Sequence, residues 1–105
     1  MRVGFVYLND DRITARGPGY VAQAVLLAGH DLRFFDTAYT DPDTIAASCE
    51  GCDVVMLSVT TLFWRQAQEL AKKIKSRGVS TILVGGIHAT LVPKEVLACP
   101  DVDYV

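Results

Sequence analysis

The stretch DVVMLSVTTLFWRQAQELAKKIKSRGVSTILVGG, residues 53–86, decides the fold. It opens on Asp53-Val54-Val55-Met56-Leu57-Ser58, a near-continuous apolar run that predicts a strand buried on both faces of a parallel sheet. From about Phe63 to Arg77 the period changes. Ala67, Leu70, Ala71 and Ile74 recur at helical spacing and predict one buried helix face. Lys72, Lys73, Lys75 and Arg77 load the last turns, where the helix dipole favours cations, and Gly78 ends the helix. Ser80 to Val84 is the next apolar run. Strand, helix and strand joined this tightly form a parallel pair with a right-handed crossover.

The same alternation extends both ways. Val3 to Leu8 predicts the first strand. Gly17-Pro18-Gly19 opens a helical stretch whose apolar face is Tyr20, Val21, Ala24, Val25 and Leu27-Ala28, ended by Gly29. Leu32 to Phe35 predicts a second strand. Asp41-Pro42 has the chemistry of an N-cap followed by proline in the first helical turn, and predicts a short helix to about Cys49. Beyond Gly85-Gly86, Pro93 to Ala98 predicts a short helix and Val102 to Val105 the start of a fifth strand. The expected architecture is α/β: a flavodoxin-like (Rossmann-like), doubly wound parallel sheet of five strands in the order 2-1-3-4-5, in three layers, without the final helix that would cover strand five. From that ending, residues 1–105 are expected to be a truncated N-terminal piece of a larger protein, and the uncovered apolar face is expected to favour dimerisation.

With 105 residues, the chain has the length of one domain. Half the residues are hydrophobic, a fifth are charged, and the mean hydropathy of +0.27 is high for so short a chain. A net charge of −2 and a pI near 5.5 argue against nucleic acid or an acidic membrane as the main partner. The first apolar run is too short to span a membrane and has no cleavage signal after it, so a cytoplasmic location is expected. The three cysteines then read as reduced thiols. Cys49-Glu50-Gly51-Cys52 has the spacing of redox and zinc motifs, but it sits at a predicted helix end, where the dipole raises thiol pKa, and has no second cysteine pair.

Sheets of this kind bind ligands outside the carboxyl ends of their strands, where strand order reverses. Three connections converge there: Asn9 to Gly17, Ser58 to Phe63, and Gly85 to Thr90. Asn9 and Asp10 open the first, which is long and polar; with Asp11 they read either as ligand groups or as an exposed acidic turn. Ser58, Thr60 and Thr61 either cap the following helix or bond an amide or phosphate tail. Gly85-Gly86 is either a tight turn or a place where backbone approaches a bulky ligand. Taken jointly, the three loops predict a ligand site.

The ordered set of motifs resembles the N-terminal cobalamin-binding domain of B12-dependent radical-SAM proteins. The residues that carry the resemblance are Gly17-Pro18-Gly19-Tyr20-Val21-Ala22, Ala28-Gly29-His30-Asp31-Leu32, residues 53–61, Leu83-Val84-Gly85-Gly86-Ile87-His88-Ala89-Thr90, and Pro93 through Val105. The resemblance covers essentially the whole chain. It implies a corrinoid held by Asn9, Asp10, Arg12, Thr14, Gly17, Gly19, Ser58, Val59, Thr60, Thr61, Leu62, Gly85, Gly86, His88, Ala89 and Thr90, with no catalytic or metal-ligating residue in this chain. B12 domains of the methionine-synthase and mutase type carry a D-x-H-x-x-G loop whose histidine binds cobalt. With Gly17 on that glycine, Arg12 and Thr14 stand where the aspartate and histidine would be, so the resemblance implies a lower cobalt face without a protein histidine. It also implies a following radical-SAM domain as partner, with a [4Fe-4S] cluster and S-adenosylmethionine; the tri-cysteine motif for that cluster is absent from these residues.

Both histidines are candidate metal ligands by chemistry. His30 lies in the turn entering strand two, away from the site. His88 is expected at the periphery or tail of the cofactor. Phe63 and Trp64 are expected to pack in the core or between domains, whereas Leu62 and Phe63 could also press on the corrin face. Two other modules share the fold. A receiver domain needs an aspartate ending strand three, where Ser58 stands. A flavin carrier needs a phosphate-cradling loop after strand one, where Asp10 and Asp11 would repel phosphate.

Overall fold

In the computed structural model, which describes residues 1–10 and 16–105, four strands form one parallel sheet in the order β2-β1-β3-β4. They are β1 (Arg2–Tyr7), β2 (Asp31–Asp36), β3 (Val54–Ser58) and β4 (Thr81–Gly85). Between them run α1 (Arg16–Leu27), α2 (Pro42–Ser48) and α3 (Trp64–Ser76), the last preceded by a 3-10 turn at Thr61–Phe63. Two short helices, α4 (Ile87–Leu91) and α5 (Pro93–Leu97), follow β4.

The sheet has two unlike faces. Gly4 and Val6 of β1 stand in register with Val55 and Leu57 of β3, which align with Ile82 and Val84 of β4. This face is sealed by Ile45 and Ala46 of α2 and by Ala67, Leu70, Ala71 and Ile74 of α3, all buried in one cluster with Val96 of α5. Cys49 and Cys52 pack over Gly4, where a Cβ would stand 3.4 and 3.5 Å from their sulfurs, in ordinary contact. Burying these side chains, at roughly 1.5–3 kcal/mol for each large one, is what holds α2 and α3 down.

Along β3 and β4 burial alternates with period two, so the opposite face is only half-covered. Only Pro18 of α1 is buried, whereas Tyr20 is 72% and Leu27 is 78% exposed. The apolar face predicted for this helix is therefore not sealed against the sheet. A cavity lies between the start of α1 and the sheet.

Two further expectations are corrected. The fifth strand is reduced to a single parallel bridge between Leu83 and Tyr104, so the sheet has four strands in the order 2-1-3-4. The last residues do lie along the outer side of β4, with Asp103 N–H donating to the Ile82 carbonyl and Val84 N–H to that of Tyr104, at 2.9 Å each. The connection 85–90, expected to be a loop, contains α4; one turn of helix is too short to show a period in sequence.

Asp41 caps α2 as its position predicts, accepting from Thr44 N–H at 3.0 Å. Asp103 ties the chain end down more broadly. Its carboxylate takes the Lys75 ammonium of α3 at 2.6 Å and the Ile82 N–H of β4 at 2.8 Å. These donors favour the ionised form and hold its pKa below the usual 3.8. The stabilisation is therefore complete above the ordinary carboxylate range and is lost as pH falls through the lowered value. Asp103→Asn is expected to lower stability at pH 7 by no more than about 1 kcal/mol, because the pair touches water. In urea titrations the gap between variant and parent should close in acid; a gap that persisted there would mean that charge is not its cause.

Candidate functional site

The cavity on the half-covered face has a volume of about 470 Å³ and is walled by α1 on one side and by the carboxyl halves of β1, β3 and β4 on the other. Register sorts its floor into two rows. Met56 stands in register between Phe5 and Leu83, and the three form the deep row, extended by Phe34 of β2, whose ring stacks on Phe5 at 5.4 Å. One step toward the carboxyl edge, Tyr7, Ser58 and Gly85 form the upper row. Gly17, Pro18 and Val21 supply the helix wall, and Val59, Thr60, Gly86 and Ile87 the mouth.

Close backbone contact holds the mouth in shape. Gly86 has φ of 95° and ψ of −172°, a conformation open to glycine. A Cβ on it would stand 2.8 Å from both the nitrogen and the oxygen of Val59. The two connections are laced together there, Val59 N–H donating to the Gly85 carbonyl at 3.0 Å and His88 N–H to that of Val59 at 3.1 Å. Gly85 is different: a Cβ on it would meet nothing within 4 Å, so its missing side chain leaves the upper row of the slot open.

The expected site residues divide accordingly. Gly17, Ser58, Val59, Thr60, Gly85 and Gly86 line the slot. Thr61 and Leu62 stand on the rim, with Leu62 90% exposed. Thr90 is exposed and its hydroxyl closes back on the Gly86 carbonyl. Ala89 belongs to the core, and Gly19 is exposed outside the slot lining. Asn9 turns toward β2, its N–H donating to the Thr37 hydroxyl at 2.7 Å and its side-chain amide to Asp36 at 3.3 Å. With Asp10, Thr37 and Lys73 it borders a separate hollow of about 290 Å³. Arg12 and Thr14 lie outside the described residues.

His88 does not line the slot. Its imidazole is 5% exposed, its ring centre lies 5.1 Å from that of Trp64, and Nδ1 is 3.1 Å from the Thr61 hydroxyl. Nε2 is buried without a hydrogen-bond partner among the described residues. Its placement makes it a prop for the Thr61 turn. Phe63 and Trp64 are part-buried against the core. Burial pushes the Cys49 thiol up to about 12, with Cys52 adding to the shift, so this pair stays protonated at neutral pH. Among the described residues no group of three or more potential ligands could hold a metal ion, and no helix is long and apolar enough to cross a membrane.

Phe5, Tyr7, Pro18, Val21, Met56 and Leu83 were not among the expected site residues. Reading the strands as buried on both faces hid Phe5, Tyr7, Met56 and Leu83, because such a strand assigns every apolar side chain to packing, and a packed helix face likewise accounts for Val21. Met56 and Ser58, like Leu83 and Gly85, share the face opposite Val55, Leu57, Ile82 and Val84, and the change to a hydroxyl or a glycine at its carboxyl end is the signal that this face is not fully packed.

A parallel α/β sheet with a preformed, mostly apolar slot at the carboxyl ends of its central strands defines a ligand-binding domain of the doubly wound class. Residues 11–105 match the model of the B12 binding domain family, and the chain belongs to that family. It is also 31% identical over 84 residues to the bacteriochlorophyllide d C-12(1)-methyltransferase of Chlorobaculum tepidum. That similarity covers 76% of this chain and 18% of the relative, so the chain spans less than a fifth of that protein's length.

Proposed function

We propose that this chain binds a cobalamin-type corrinoid and presents it to a following radical-SAM domain for methyl transfer or related radical chemistry. The observation that carries the reading is the slot at the carboxyl edge, with its open place above Gly85 and its apolar deep row. Its residues fit the group. Leu62 and Ile87, 90% and 61% exposed on the rim, suit an apolar ring lying across the mouth. Ser58 and Thr60 are placed for the polar linker of the nucleotide tail, and the slot below for its base.

When bound, a corrinoid supplies a cobalt centre able to carry and give up an alkyl group. The chain's own part is to bind, orient and exclude water. Methyl-transfer chemistry is favoured by the printed name of the matched relative. The radical-SAM domain, its [4Fe-4S] cluster and S-adenosylmethionine are supported by the sequence resemblance, the cytoplasmic location by the short first apolar run without a cleavage signal, and the dimer by the uncovered apolar face.

The test is a visible-absorption titration with hydroxocobalamin and methylcobalamin. Saturable binding is expected, with the spectrum of a displaced nucleotide base. Repeated with His88→Ala, it should give the same cobalt spectrum, because the imidazole is walled off by Trp64 and Thr61. A spectrum altered in that variant would make His88 a ligand. Absence of binding, both here and in a longer protein carrying the next domain, would remove the corrinoid assignment.

A further inference from the structure

We infer that the slot selects among corrinoids by the polarity of the tail base, accepting an apolar benzimidazole and discriminating against a purine. This rests on the tail occupying the slot as proposed above. The two rows of the floor carry the argument. Side chains able to bond a ligand, Tyr7 and Ser58, stand in the upper row with Thr60 at the mouth, where a phosphate, sugar or amide would pass. Two residues deeper on the same face, Phe5, Met56 and Leu83 present only carbon and one thioether.

The strand backbone does not compensate there. β1 and β3 are each flanked by a strand on both sides, and the outer edge of β4 is engaged by Asp103 and Tyr104. On the helix wall, Pro18 has no N–H to offer and Val21 adds only carbon, which leaves the Gly17 backbone at the start of α1 as the polar group of that wall. A base that reaches the deep row therefore surrenders its hydrogen bonds to water and meets no side-chain partner among the described residues.

Dimethylbenzimidazole meets that row with a hydrocarbon edge bearing two methyl groups. Adenine in the same place carries an amine and ring nitrogens, which would be buried without a side-chain partner among the described residues. A single such group weakens binding by a factor of roughly ten or more.

The experiment compares the affinity of the chain for cobalamin, for its analogue with adenine in place of dimethylbenzimidazole, and for cobinamide, which has no base. Cobalamin is expected to bind at least about tenfold more tightly than the adenine form. Met56→Gln, which places a donor and an acceptor in the deep row, should narrow that ratio and leave cobinamide unaffected. Val21→Gln on the exposed helix wall does the same where the strand variant fails to fold. Equal affinity for the two complete corrinoids overturns the selection while leaving corrinoid binding in place. Cobinamide binding as tightly as cobalamin shows that the tail lies elsewhere and overturns it as well. If none of the three binds, the corrinoid reading fails and the selection with it.

Discussion

Gly86→Ala is expected to destabilise the domain by more than about 3 kcal/mol, a large part of the 5–15 kcal/mol that holds a small domain together. Two costs act together. A φ of 95° with ψ of −172° lies where residues with a Cβ are strained, at about 1–3 kcal/mol. The new methyl would also stand 2.8 Å from the nitrogen and oxygen of Val59. Those atoms are backbone and already committed, to Gly85 at 3.0 Å and to His88 at 3.1 Å, so relief requires parting the two connections that frame the slot. Gly78→Ala is the control: its φ is 90°, but a Cβ there meets nothing within 4 Å. Urea titration should show Gly86→Ala losing clearly more stability than Gly78→Ala. Equal losses would mean that backbone strain alone operates and that the two loops are not in close contact.

The same pair of glycines shows where sequence is informative. Gly85-Gly86 stood out by composition, yet nothing in two identical letters says that one is required by its backbone and the other by the space above it. That distinction depends on Val59, which is far away in sequence and adjacent in the fold. Local signals were legible where one force dominates. Asp41-Pro42 set a helix start, and the spacing of Ala67, Leu70, Ala71 and Ile74 set the buried face of α3. The apolar face of α1 misled, because the helix lies over a cavity and leaves Tyr20 and Leu27 in solvent. Of the three loops expected to form the site, those after β3 and β4 meet at the slot. The first divides: Gly17 lines it, whereas Asn9 is drawn toward Asp36 and Thr37 of the neighbouring strand end. A polar residue at a strand end has several partners within reach, and sequence does not rank them.

Gly85→Val should separate binding from folding, in contrast to the change one residue later. Gly85 is the last residue of β4, aligned with Ser58, and a Cβ added to it has open space. Valine suits a strand better than glycine, so the fold should be unchanged or slightly more stable. The added isopropyl group grows into the upper row of the slot, between the rim and the apolar floor. A cofactor tail reaching the deep row must pass that point. Overpacking of this size costs about 1–3 kcal/mol, which predicts corrinoid affinity lower by roughly tenfold to a hundredfold. Visible-absorption titration and a urea curve on the same sample measure both quantities. Weakened binding with intact stability would place the cofactor above Gly85. Undiminished binding in a folded variant would show that the ligand does not use this slot, and the site would then have to be sought on the rim formed by Leu62 and Ile87.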